Sequence, residues 1–143
     1  MSLVHASAVR VGEHGVLIRG PSGAGKSSLL LGLLTLFRGT STLVADDRVI
    51  LTPQGGELIA AVPENLAGLM EVRGQGIVRR PYVSPARLHL VVDLRPFAEC
   101  PRLPGPGDEA ASVEGVALPR LILPIGAVDG AARVGVALER LAP

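Results

Sequence analysis

Eight residues near the start of this chain, Gly20-Pro21-Ser22-Gly23-Ala24-Gly25-Lys26-Ser27, limit its possible folds more than any other feature. They fit G-x-x-x-x-G-K-[ST] at every fixed position. Such a loop wraps a polyphosphate in backbone N–H groups, and glycine lets the chain approach without a Cβ in the way. A helix must follow, because its N-terminus adds unpaired N–H groups and the positive end of its dipole. The flanks comply. Val16 to Arg19 reads as an apolar strand. Lys26 to about Arg38, with leucines at 29, 30, 31, 33, 34 and 36, reads as a helix apolar nearly all round, and so a buried one, ended by Gly39. Lys26 is expected to reach the terminal phosphates, and the Ser27 hydroxyl to ligate Mg²⁺. Thirteen arginines stand against a single lysine, and that lysine is Lys26. A compact ammonium fits between phosphate oxygens where a planar guanidinium does not. The plainer alternative is a glycine-rich turn capped by Ser22.

The rest of the chain reads as α/β. Residues 2–11 alternate loosely and predict a strand that pairs with 16–19 across a turn at 13–15. Residues 42–51 predict a third strand, and 57–62 a fourth after a turn at 53–56. A short helix is expected at 65–70 and a loop at 71–78. Strands are expected at 87–94 and 118–125, a proline- and glycine-rich surface excursion at 95–114, and a closing amphipathic helix at 130–141. With 143 residues and no repeat or boundary, the expectation is one domain over 1–143.

Composition removes several classes of function. A net charge of +1 argues against a polyanion binder held by bulk electrostatics. The only aromatic residues are Phe37, Tyr82 and Phe97, too few for a platform that stacks single-stranded nucleic acid. No run reaches the ~18–20 apolar residues of a membrane helix. The start, MSLVHASAV, lacks the charged region of a signal peptide. Cys100 is the single cysteine, which excludes an internal disulfide and suits a reducing cytoplasm.

A second feature carries chemistry. Asp46-Asp47 interrupts an otherwise apolar strand, between Leu43-Val44-Ala45 and Val49-Ile50-Leu51. Aspartates are disfavoured in strands and costly in a core. Adjacent strand residues point to opposite faces, so the two share a site only where the strand ends. A metal and a proton-accepting role would offset the cost: one carboxylate ligating Mg²⁺, directly or through water, the other taking the proton of an attacking hydroxyl. A solvated strand-end pair beside Arg48, or an Asx-turn, is the plain alternative.

With GPSGAGKSS, LVADDRV and EVRGQGIV in that order, the chain resembles the catalytic domain of HPr kinase/phosphorylase, and most of all its short alphaproteobacterial forms without an N-terminal domain. The resemblance implies a P-loop α/β fold similar to that of phosphoenolpyruvate carboxykinase, with a mixed β-sheet core, a buried helix after the phosphate loop and a C-terminal helix. It implies phosphorylation of a serine on HPr or an HPr-like phosphocarrier, with the reverse dephosphorylation, in control of carbon metabolism. By this resemblance Gly20 to Ser27, with Ser28 beside them, hold ATP, and Ser27 holds Mg²⁺. Asp46 is the acid/base. Asp47 supports the metal or positions Asp46. His5 matches an early histidine near the aspartates. Glu71 lies near the metal, and Arg73 holds a phosphate. Family members usually form hexamers, which implies a homo-oligomer. Two positions depart from the family pattern. Ser28 stands where many members have an acidic residue, and Leu121 to Val134 contains only Arg133 where long forms have an Arg-Pro-Gly-Arg-Asn-like segment.

Other readings stay open on the residues alone. A small-metabolite kinase would explain the loop and the acidic strand, though not EVRGQGIV. A non-catalytic ATP-sensing regulator would explain nucleotide binding without transfer. His5 reads equally as a core histidine, Arg73 as a partner of Glu71, and Arg79-Arg80 as a solvated basic pair. His14 reads as solvent-facing, His89 as structural, and Asp93 as the end of its strand. Cys100 has no assigned role.

Overall fold

A computed structural model describes residues 1–141. Eleven strands and two α-helices are present among them, in the order β1 (Ser2–Val4), β2 (Ser7–Val11), β3 (His14–Arg19), α1 (Lys26–Leu36), β4 (Ser41–Ala45), β5 (Val49–Gln54), β6 (Glu57–Ala61), β7 (Leu69–Val72), β8 (Gly76–Arg79), β9 (Ala86–Arg95), β10 (Ala110–Val113), β11 (Val116–Pro124) and α2 (Gly130–Glu139). Short 3₁₀ turns occupy Glu64–Leu66 and Phe97–Glu99.

Nine strands form one mixed sheet. Its main path runs β1-β5-β6-β9-β3-β2-β4. The central strand is β9, the longest, with ten residues. One edge of β9 runs parallel to β3. Its other edge is shared: Ala86 and Arg87 pair antiparallel with β6, and Val91 to Arg95 pair parallel with β11. A strand with partners on both edges and cover on both faces should be apolar throughout, and RLHLVVDL nearly is.

Alternation along the strands divides the core in two. Val9, Val16, Ile18, Leu90 and Val92 face α1 and α2, where they meet Leu30, Leu33 and Val134. Ala8, Leu17, Val91 and Leu88 face the opposite side, with Val44, Leu51, Leu58 and Val116. Leu88 and Leu90 are two residues apart yet lie on opposite faces, because the β3–β9 register shifts between Gly15 and Val16. The inserted residue is His89. Its Nδ1 accepts the Gly15 N–H at 3.0 Å, replacing a missing ladder bond. A Cβ on Gly15 would stand 2.1 Å from the Arg87 carbonyl oxygen, so only glycine fits there. Burial, then the Arg87 and His14 charges, lower the His89 pKa below the ordinary 6.5, which keeps the imidazole neutral and able to accept.

The structure departs from the expected elements in four places. The strand expected at 2–11 is two strands, β1 on β5 and β2 between β3 and β4, with His5 at the break. The strand expected at 42–51 is also two, β4 and β5, because the chain turns at Asp46 to Arg48. The helix expected at 65–70 is a 3₁₀ turn followed by β7, and the loop expected at 71–78 is mostly the β7–β8 hairpin, closed around Gly74 and Gly76 at φ 86° and 90°. The expected surface excursion contains β10. Asp93 lies within β9 rather than at its end. It is buried and bound by Arg19 through two bonds of 2.8 and 2.9 Å, with Arg120 at 3.5 Å. Among the described residues no helix is long and apolar enough to cross a membrane.

Candidate active site

The parallel strands β3 and β9 direct their C-terminal ends towards the phosphate loop, the place where open α/β sheets bind ligands. The loop leaves β3 at Gly20, turns through Gly23 at φ 80° and enters α1 through Gly25 at φ 88°. The latter is a left-handed conformation that glycine adopts without a Cβ penalty. A Cβ on Gly20 would press on Leu94 at 3.0 Å and Ala24 at 3.2 Å, so the loop sits tightly on β9. Pro21, Ser22 and Gly23 are exposed along the rim, and Ala24 is buried beneath. Lys26 is buried despite its charge, because its ammonium donates to the carbonyl oxygens of Gly20 at 2.9 Å and Pro21 at 3.0 Å. That contact ties the two ends of the loop together and leaves the third N–H free to bond elsewhere.

The acidic doublet lies where β4 ends. Asp47 has φ 70°, a left-handed conformation uncommon outside glycine but tolerated by aspartate. With the strand ended, both carboxylates line the same cleft instead of opposite faces. Their surroundings differ. Asp46 is buried and fully engaged: Oδ1 accepts from the Ser27 hydroxyl at 2.7 Å and the Ser7 hydroxyl at 3.0 Å, and Oδ2 accepts the Glu71 N–H at 3.1 Å. Asp47 is exposed. It pairs with His5 Nε2 and with Arg48 at 3.1 Å, and its N–H donates to the Ser7 hydroxyl at 3.3 Å.

The cleft has a volume of about 610 Å³, and its lining includes His5, Lys26, Ser27, Asp46, Asp47 and Glu71. The β7–β8 hairpin forms one wall. Glu71 reaches the doublet through its backbone, with its side chain exposed in the cleft, and Arg73 is exposed at the hairpin tip and also lines it. Ser28 lines the same space one residue beyond Ser27. The structure therefore brings together His5, Lys26, Ser27, Ser28, Asp46, Asp47, Glu71 and Arg73, which lie on four separate segments. Ser7 was not among the residues singled out from the sequence. It is fully buried and joins both aspartates, and its one sequence signal is a hydroxyl at the start of the mostly apolar strand SAVRV.

The donor set suits a hard cation. The Ser27 hydroxyl and the Asp46 carboxylate meet at the loop, with the Glu71 carboxylate in the same cleft. Among the described residues no group of three or more His, Cys, Asp or Glu side chains is gathered as a protein-only metal cage. Mg²⁺ suits this arrangement, because it keeps several waters and takes one or two protein oxygens beside substrate phosphates.

Residues 1–134 match the HPr Serine kinase C-terminal domain. The chain belongs to this family. HPr kinase/phosphorylase of Geobacillus thermodenitrificans is 38% identical over 133 residues, which cover 85% of this chain and 42% of that protein. HPr kinase/phosphorylase of Mycoplasma mycoides is 41% identical over 73 residues, 51% of this chain and 22% of that one. The solved structure of the Hpr(Ser) kinase/phosphatase from Coxiella burnetii matches with a TM-score of 0.81 at 27% identity, over 98% of this chain and 97% of that one. The chain spans about two fifths of the length of the Geobacillus relative. The HPr kinase family is the one that the GPSGAGKSS, LVADDRV and EVRGQGIV segments resemble, and the mixed sheet with two helices agrees with its solved fold.

Proposed function

We propose that this member of the HPr kinase family is an ATP- and Mg²⁺-dependent protein-serine kinase whose substrate is HPr or an HPr-like phosphocarrier. On this reading residues 1–143 form a single P-loop unit of the phosphoenolpyruvate carboxykinase type, working in the cytoplasm. The observation that carries the reading is the split of the acidic doublet: Asp46 bonds to the hydroxyl of the phosphate loop and Asp47 to His5, both in one cleft.

The split favours a division of labour opposite to the one the family resemblance implied. Asp46 already accepts three hydrogen bonds and adjoins Ser27, so it is proposed to orient the metal-binding hydroxyl and to turn its remaining acceptor site to metal-bound water. Bound Mg²⁺ supplies charge neutralisation at the phosphates. Asp47 is accessible and stands against an imidazole, so it is proposed to take the proton of the substrate seryl hydroxyl, with His5 holding its carboxylate in place. Lys26 stabilises charge on the transferred phosphoryl group, and Gly20 to Ser28 position it. In phosphoryl transfer, positioning and electrostatics supply nearly all of the catalysis. Arg73, exposed at the tip of the β7–β8 hairpin, is proposed to contact a phosphate. The test is mass spectrometry of HPr incubated with the protein, ATP and Mg²⁺, where one added phosphate on a serine is expected. Absence of label on HPr with label on a small metabolite would replace this reading with that of a metabolite kinase.

A further inference from the structure

Ser7 opens β2, fully buried between two buried alanines, Ala6 and Ala8. A hydroxyl in such a place is costly unless it is bonded. It meets Asp46 because of a bulge. From Val9 to Val11, β2 pairs with Leu43 to Ser41 of β4, and that register, if continued, would set Ser7 opposite Ala45. The register shifts between Ala8 and Val9, so Ala8 pairs with Ala45 and the next position in line brings Ser7 to Asp46. A shift of one residue turns the other face of a strand to its partner, and bulges beside active sites re-aim side chains in this way.

The hydroxyl both donates and accepts. Its proton goes to Asp46 Oδ1 at 3.0 Å, and its oxygen accepts the Asp47 N–H at 3.3 Å. The second bond falls at a strained point. The Arg48 N–H donates back to the Asp46 carbonyl oxygen at 2.8 Å, with Asp47 at φ 70° between them, a γ-turn of the rarer, strained kind. Such conformations persist only where their surroundings fix them, and they gather at active sites. His5 and Arg48 hold the Asp47 carboxylate from the solvent side, whereas Ser7 holds the Asp47 backbone from within the fold.

We infer that Ser7 is a positioning residue for phosphoryl transfer: its hydroxyl keeps the turn at Asp47 in the left-handed conformation that presents the accessible carboxylate to the cleft, and fixes the Asp46 carboxylate beside Ser27. The inference rests on the kinase reading proposed above. Without the hydroxyl the Asp47 N–H loses its acceptor, the turn relaxes towards negative φ, and the carboxylate moves out of line with the substrate hydroxyl. A misplacement of about 1 Å is enough to slow a reaction by about 10²-fold. The Ser7 hydroxyl is engaged with both aspartates, so it acts through them and leaves nucleotide binding alone.

Ser7→Ala, Ser7→Thr and Ser7→Val separate the hydroxyl from the space around it, because threonine and valine match in shape and differ in the hydroxyl. Two quantities are measured: steady-state transfer to HPr, and hydrogen exchange of the Asp47 amide by NMR, which needs no substrate. In the alanine and valine variants kcat should fall roughly tenfold or more, with the KM for ATP and for HPr within about twofold of the parent. The Asp47 amide should exchange roughly tenfold faster in both, and the threonine variant should exceed the valine variant in kcat by roughly tenfold. Equal kcat in the threonine and valine variants would overturn the inference, as would parental kcat or parental Asp47 exchange in Ser7→Ala. Faster exchange spread across the whole sheet would also overturn it, as general loosening. A parent that transfers nothing to HPr would instead overturn the kinase reading, and the amide measurement would still decide whether Ser7 holds the turn.

Discussion

The Ser27 hydroxyl donates to the Asp46 carboxylate at 2.7 Å, across 19 residues of sequence and two elements of the fold. This bond joins the first residues of α1 to the end of β4. The same carboxylate also takes the Ser7 hydroxyl and the Glu71 N–H, so four segments meet at one side chain. Asp46→Ala leaves those three donors without their acceptor. Each unmade bond costs about 1–3 kcal/mol when the group stays dry, so the variant should melt at lower temperature as well as lose transfer. Thermal unfolding of Asp46→Ala beside Asp47→Ala checks this: the first should be clearly less stable than the second.

Asp47 and His5 form the accessible half of the doublet. Asp47→Asn should retain ATP binding and near-parental stability while transfer to HPr falls by about 10²-fold or more, the contribution expected of a general base. Calorimetry with ATP and a rate assay on one preparation separate the two effects. Unimpaired transfer in this variant, with loss in Asp46→Asn, would restore the base to Asp46.

Lys26 is buried and its ammonium already bridges Gly20 and Pro21. Lys26→Ala should weaken ATP binding and abolish transfer. Lys26→Arg should not restore either, because a guanidinium is planar and larger than the space an ammonium occupies. Nucleotide titration of both variants provides the check. Recovery in the arginine variant would show that charge alone is required there.

Gly15 and His89 form the bulge that sets the facing of β9. Gly15→Ala places a Cβ 2.1 Å from a carbonyl oxygen, so the strands must separate. A loss of about 1–3 kcal/mol, typical of overpacking, is expected in urea unfolding.

The same pair gives a pH dependence. The folded-state pKa of His89 is lowered, first by burial and then by Arg87 and His14, with Glu57 opposing. Below 6.5 the unfolded chain takes up the proton more readily than the folded one. The contribution is therefore intact above 6.5 and is lost as pH falls below it. Urea midpoints across pH 5 to 8 should show the parent losing stability relative to His89→Gln on the acid side. Parallel curves for the two proteins would contradict this.

Much of the site was legible because its signals are local. The phosphate loop is eight contiguous residues between a strand and a helix, and both flanks formed as their patterns predict. Carboxylates within an apolar run marked Asp46 and Asp47 as candidates, but the run reads as one strand over 42–51, whereas the chain turns there with Asp47 at φ 70°. What was not legible depends on distant pairing. The bulge at His89 exists only because Gly15 lies opposite. Arg-Gly-Gln-Gly at 73–76 carries the turn signal of a hairpin, but its short strands pair only with each other, so alternation over so few residues read as loop. The hydroxyl of Ser7 in its strand was too weak a signal to single it out, because its partners are the doublet, 39 and 40 residues away. The division of roles between Asp46 and Asp47 likewise needed the positions of Ser27 and His5.

The most direct measurement is the intact mass and phosphosite of HPr after incubation with this protein, ATP and Mg²⁺, beside the Lys26→Ala variant. The account predicts one phosphoserine on HPr with the parent protein and none with the variant. Unmodified HPr in both reactions, from a parent that demonstrably binds ATP, would contradict it.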